Sequence, residues 1–178
     1  ALVLAVAELR EAVASGKPFG QELDALKALA GDNPDFKAPI VVLVKNADKG
    51  IPTLDGLRIQ FEELAGKIVQ ASRTVKETGW LDRAANRLSS LVTWRRVDGQ
   101  GEETSIDAMV AAAENHLKTG DLKSAIIALE GLAGNAKASA VAEPWLSSAK
   151  AHLAAERAVG SLRLQAVSIL TPVKPGEG

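Results

Sequence analysis

The sequence predicts an all-α protein in which antiparallel helical hairpins form a bundle, with one amphipathic Trp/Arg helix. Three observations carry that expectation. Apolar residues recur three and four positions apart through most of the chain, the spacing of a helix that buries one side. Glycine and proline sit where those runs stop. The apolar content of 47% is dominated by Ala and Leu, with only 3% aromatic residues, a small aliphatic composition suited to closely packed helices.

Taken in order, Leu2, Val6, Leu9 and Val13 predict a first helix over 2–15, stopped by Gly16 and Pro18. Leu23, Leu26 and Leu29 predict a second over 19–30, ending at Gly31 with Asn33 and Pro34 beyond it, so the two make a hairpin. The β-branched run 40–44 suits a strand by propensity, but a single strand has nothing to pair with. It is predicted as a short buried helix from Pro39 to Ala47, closed by Gly50. Thr53 then caps a longer helix reaching Val75, with Leu54, Leu57, Phe61, Leu64, Ile68 and Val69 in one stripe and Asp55 near its positive end.

After Gly79 comes a helix over 80–97, and then 98–103, which holds two glycines and no apolar residue. That break predicts a hinge between an amino-terminal lobe, 1–97, and a carboxy-terminal hairpin with a closing helix, 104–170. Thr104 or Ser105 can cap a helix over 106–119, Gly120-Asp121 turns the chain, and 122–132 forms the second arm. Pro144 fits the first turn of a closing helix over 144–160, which 161–170 continues or re-nucleates. The proline- and glycine-bearing tail 171–178 is predicted to be disordered.

The formal net charge of −1 gives no global attraction to nucleic acid, so polyanion binding has to be local. Absence of cysteine excludes disulfides, thiolate metal sites and cysteine nucleophiles. The opening ALVLAVA is far shorter than the roughly 18 to 20 apolar residues of a membrane span, and the chain reads as soluble. His116 and His152 each stand without a second histidine at helical spacing, no GxGxxG or P-loop is present, and Ser89 and Ser90 have no implied base. No enzyme, cofactor, metal or small-molecule substrate is therefore expected.

The most informative stretch is 80–96, WLDRAANRLSSLVTWRR. At about 100° per residue, Leu81, Ala84, Ala85, Leu88, Leu91 and Val92 share one face. Trp80, Arg83, Arg87 and Trp94 line the flank beside it, and Arg95 and Arg96 follow. Indoles favour the boundary between hydrocarbon and water, and arginine can bury its stem while its charge stays among phosphates. The bland alternative is a helix packed on a protein core with its tryptophans as anchors. Only the offset of the Trp/Arg stripe from the leucine stripe argues for lipid. A second surface lies in 108–132, where small alanines around a Gly-Asp turn look like one tetratricopeptide-type helix pair, although no second copy follows at a period near 34.

Several segments in order resemble the carboxy-terminal, periplasmic part of bacterial, alphaproteobacterial mitofilin-like proteins. They are L-R-E-A-V-x-S-G-K-P-F-x-x-E-L-x-A-L at 9–26, G-I-P-T-L-x-x-L-x-x-x-F at 50–61 and W-L-D-R-x-x-x-R-L-x-x-L-V-T-x-R-R-V at 80–97. G-D-L-x-x-A-I-x-x-L-E at 120–130 and Pro144-Trp145-Leu146 complete the set. The resemblance implies an inner-membrane protein whose anchor and coiled coil precede this region, with this region in the periplasm. It implies a non-enzymatic, membrane-shaping scaffold that forms homo-oligomers and docks an envelope or outer-membrane protein, and it sets the lipid-binding helix at 80–96.

The expected mechanism has Leu81, Leu88, Leu91 and Val92 inserting shallowly into an anionic phospholipid membrane while Trp80, Trp94, Arg83 and Arg87 hold the headgroup level. Each basic residue near such a surface contributes roughly 1 kcal/mol, so one helix binds weakly and avidity needs several copies. The rival expectation is a tetratricopeptide-like protein-interaction module that does not touch lipid.

Overall fold

A computed structural model describes residues 1–73 and 105–170, and across them the chain is helical with no strand. In chain order the elements are α1 (Leu2–Ala14), α2 (Gly20–Ala30), α3 (Pro34–Val44), α4 (Leu54–Arg73), α5 (Ile106–Lys118), α6 (Leu122–Glu130), a 3-10 turn (Gly131–Gly134) and α7 (Ala136–Leu170). The all-α class is as the spacing predicts. The expected hinge at 98–103 and the tail 171–178 lie outside the described residues.

The run 40–44 is helical, for a reason that lies upstream of it. Asn33 accepts the amide hydrogen of Asp35 at 3.0 Å and Pro34 occupies the first helical position, so the helix starts at Pro34 and not at Pro39. Pro39 sits inside and is buried with Phe36 and Leu43. Nor is α3 buried all round as expected, because Val41, Val42 and Val44 face solvent.

The closing helix also departs from expectation at its start. It begins at Ala136, eight residues before Pro144, because the Asn135 side chain accepts the Ala138 amide hydrogen at 3.0 Å and its carbonyl accepts that of Ser139. Pro144 lacks one helical donor on an exposed face, and the helix passes through it and through Gly160 without a break.

The described chain divides into two compact units. The first gathers Ala1–Ile59 with the described residues from Trp145 onward. Its core joins Ala5, Val6 and Leu9 of α1, Phe19, Leu23 and Leu26 at α2, Phe36 and Leu43 of α3, and Ile51 to a face of α7 made of Ala155, Ala158, Val159, Leu162 and Ala166. The α1–α2 hairpin is tied down by the Phe19 amide, which donates to the Ala47 carbonyl at 2.8 Å. The buried Trp145 indole donates to the Leu57 carbonyl at 2.9 Å, so its polar edge is satisfied inside the unit.

The second unit comprises Gln60–Pro144. Its buried residues are Phe61 and Ile68 from α4, Val110, Ala113 and Leu117 from α5, Leu122, Ala125, Ile126 and Leu129 from α6, then Leu132, Ala138 and Ala142. Ser105 accepts the Ala108 amide hydrogen at 3.2 Å and thereby caps α5. The α5–α6 pair is the antiparallel hairpin expected around Gly120, whose φ of 82° fits the left-handed turn that glycine adopts without strain.

Two glycines give opposite expected outcomes for one substitution. Gly50 has φ of 77°, and a Cβ there would collide with the Gly16 carbonyl and the Lys17 backbone. Gly50→Ala is expected to lower stability by about 2 kcal/mol or more. Gly66 is exposed on α4 with nothing within 4 Å of a Cβ, so Gly66→Ala raises stability by up to about 1 kcal/mol. Denaturant titration of both variants checks the contrast. Thermal melts check the α7 cap: Asn135→Ala costs about 1 kcal/mol, and Asn135→Asp restores most of it.

Candidate functional site

The residues expected at a lipid surface are Trp80, Leu81, Arg83, Arg87, Leu88, Leu91, Val92, Trp94, Arg95 and Arg96, and all lie outside the described residues. What is described is the frame from which their segment departs and to which it returns. α4 reaches Arg73, and α5 begins at Ile106 behind its Ser105 cap. Arg73 Nη2 stands 3.4 Å from Asp107 Oδ1, so positions 34 apart in sequence meet within the second unit. Both side chains are exposed, and such a pair contributes at most about 1 kcal/mol. Its significance is positional: the described residues on either side of segment 74–104 stand close together.

The second candidate surface is the α5–α6 hairpin. Ala113 and Ala125 are fully buried, and residues this small let two helix backbones approach closely. The Asp121 carboxylate accepts the Ser124 amide hydrogen at 3.0 Å and caps α6. Hydrogen bonding from the Ser124 side chain and backbone holds that carboxyl below the usual range, with smaller contributions from the His116 and Lys123 charges. His116 Nδ1 lies 4.0 Å from Asp121 Oδ2, at the end of α5. Ile127 remains exposed on α6.

His152 differs from a plain surface histidine. Its Nδ1 donates to the Pro52 carbonyl at 2.8 Å, which assigns the hydrogen to Nδ1, and its Nε2 lies 3.6 Å from Glu156 Oε1. Among the described residues no group of three or more His, Asp or Glu side chains is placed to hold a metal ion. No described helix is long and apolar enough to cross a membrane. Sequence reasoning missed both the Arg73–Asp107 meeting and the His152–Pro52 bond, because each joins positions far apart that carry no shared periodicity.

The model of the Mitofilin family, described as a mitochondrial inner membrane protein, matches residues 1–166. The chain belongs to the Mitofilin family. Similar proteins include the MICOS complex subunit MIC60 of Talaromyces stipitatus, 31% identical over 163 residues that cover 91% of this chain and 25% of the relative. The MIC60 subunit of Pyrenophora tritici-repentis is 30% identical over 169 residues, covering 93% and 26%, and that of Emericella nidulans 28% over 151 residues, covering 84% and 24%. This Mitofilin chain thus spans about a quarter of the length of the curated relatives it matches. These relatives are fungal, whereas the motif resemblance pointed to a bacterial member. No solved structure matches the chain.

A carboxyl whose folded pKa is depressed adds stability above its unfolded value, near 3.8, and loses it as pH falls through the folded value. Asp121→Asn keeps a capping oxygen and removes the charge. Melts across the acid range should show wild type more stable than Asp121→Asn at neutral pH, with the gap closing on acidification. A gap that stays constant would show that the charge contributes nothing.

Proposed function

We propose that this chain is the helical end region of a non-enzymatic, membrane-organising scaffold of the inner membrane, and that segment 80–96 is its contact with anionic phospholipid. The observation that carries the reading is the Mitofilin match over 1–166, which runs through both helical units and through the Trp/Arg segment. The names of the relatives, all MICOS complex subunits, support a role within a protein assembly. The arginines at 83, 87, 95 and 96 outnumber Asp82, so the segment is basic in a chain whose net charge is −1. A bacterial member with this region in the periplasm rests on the motif resemblance.

Physically, Leu81, Leu88, Leu91 and Val92 insert among acyl chains near the surface, while Trp80, Trp94 and the arginines stay with the headgroups. The interaction is reversible, and self-association of the chain supplies the copies that make it persistent. Shallow wedges in one leaflet favour curvature.

A second reading is that the protein docks a partner without direct lipid contact. It is favoured by the α5–α6 hairpin, a capped helix pair that leaves Ile127 exposed.

Co-sedimentation with phosphatidylglycerol-containing vesicles separates the two. At roughly 1 kcal/mol per basic residue, removing two arginine charges weakens binding about 30-fold, and reversing them weakens it further. The double variant Arg83→Asp, Arg87→Asp is therefore expected to stay in the supernatant, and unchanged pelleting would remove lipid contact from this segment.

A further inference from the structure

The first unit carries a surface groove of about 430 Å³ lined by α1, α7 and the start of α4. Arg10 from α1 and Arg163 from α7 line it, and among the described residues neither makes an ion pair. A single carboxylate, Glu156, shares the lining. Its Oε1 is 3.6 Å from His152 Nε2, and no ion pair joins it to either arginine. His152 is itself anchored through Nδ1 to the Pro52 carbonyl. Two arginines thus line one cavity with no ion pair to either among the described residues, although a carboxylate on the same helix as Arg163 lies within the lining.

Helix termini do not decide the sign of this site. The positive end of α4, beginning at Leu54, and the negative end of α1, at Ala14, both reach the lining and offset each other. The two arginines outnumber the one carboxylate, so the lining carries a net positive charge. Val13 and Val159 give the cavity apolar wall beside its charge. Guanidinium offers several N–H donors in a planar fork that matches the oxygens of a phosphate, and the apolar wall suits the organic part of an ester.

We propose that this groove binds a phosphate ester, with Arg10 and Arg163 as the anion-binding residues. Such a group comes either from a soluble metabolite or from the headgroup of an anionic lipid. Only the lipid source rests on the function proposed above, and it would add a contact separate from segment 80–96.

The groove offers a variant that tests occupancy without weakening the fold. Gly160 lines it, is helical and exposed, and has nothing within 4 Å of a Cβ. Gly160→Leu fills the space and improves helix propensity, so its melting temperature is expected to equal or exceed that of the wild type. The experiment uses the full chain carrying Arg83→Asp and Arg87→Asp, so that failure of the Trp/Arg segment cannot be mistaken for failure of the groove. Two probes are titrated: glycerol 3-phosphate, followed by NMR shifts of Arg10, His152 and Arg163, and phosphatidylglycerol vesicles, followed by co-sedimentation.

Saturable shifts with glycerol 3-phosphate that weaken at least tenfold in Arg10→Gln with Arg163→Gln, and in Gly160→Leu, support a soluble ester. Binding to vesicles alone, lost in the same variants, supports a lipid headgroup. Absence of saturable binding to both probes, or equal binding by wild-type and variant grooves, overturns the proposal.

Discussion

The fold of the first unit depends on the seating of one face of α7 against helices from the other end of the chain. Ala155, Ala158 and Ala166 on that face bury little apolar area themselves, so their role is close approach. The energy comes from what they cover. Fully burying a Leu, Val or Phe side chain contributes roughly 1.5 to 3 kcal/mol, and Leu9, Leu23, Leu26, Phe36 and Leu43 are all sealed in the same core. Three short helices, α1 to α3, would otherwise expose that surface. A larger side chain at Ala155 or Ala158 would push α7 off its seat, since overpacking a full core costs about 1 to 3 kcal/mol.

That long-range closure sets the order of the two units along the chain. Because the first unit takes its helices from both ends of the chain, Gln60–Pro144 forms a unit between its two contributions. Within that middle unit, Arg73 and Asp107 stand side by side at the two ends of segment 74–104. Closing a loop costs entropy that grows only with the logarithm of its length, about 0.6 kcal/mol per doubling. The meeting of Arg73 and Asp107, 34 positions apart in sequence, therefore comes at small entropic cost.

The legible parts of the fold were those written in local periodicity. α1, α2, α5 and α6 follow from leucine and valine spacing and from the glycines that end them, and their bounds differ from expectation by a residue or two. Where the sequence misled, a polar side chain outweighed a proline. Asn33 and Asn135 each cap a helix several residues upstream of the proline that looked like its start. The exposure of Val41 and Val44 was illegible for another reason: β-branched residues signal burial only on average, and here α3 presents Phe36, Pro39 and Leu43 inward instead. The groove was invisible in sequence because Arg10 and Arg163 belong to opposite ends of the chain and come to line one cavity only once α7 is seated.

Charge placement makes the two proposed anion contacts compatible with a slightly acidic protein. At physiological ionic strength the Debye length is about 8 Å, so an exposed charge is felt by its immediate surroundings and little beyond. The formal net charge of −1 is thus a poor guide to any one surface. What counts is whether a basic group is already neutralised nearby. Lys27 pairs with Asp24, Arg58 with Asp55 and Lys118 with Glu114, each within one helical turn, and those cations are largely cancelled where they stand. Among the described residues Arg10 and Arg163 have no such ion pair, and the arginines of 80–96 have only Asp82 among them in sequence. Local surplus of this kind would attract an anion without requiring a basic protein, and it is the physical ground shared by the two contacts proposed for this chain.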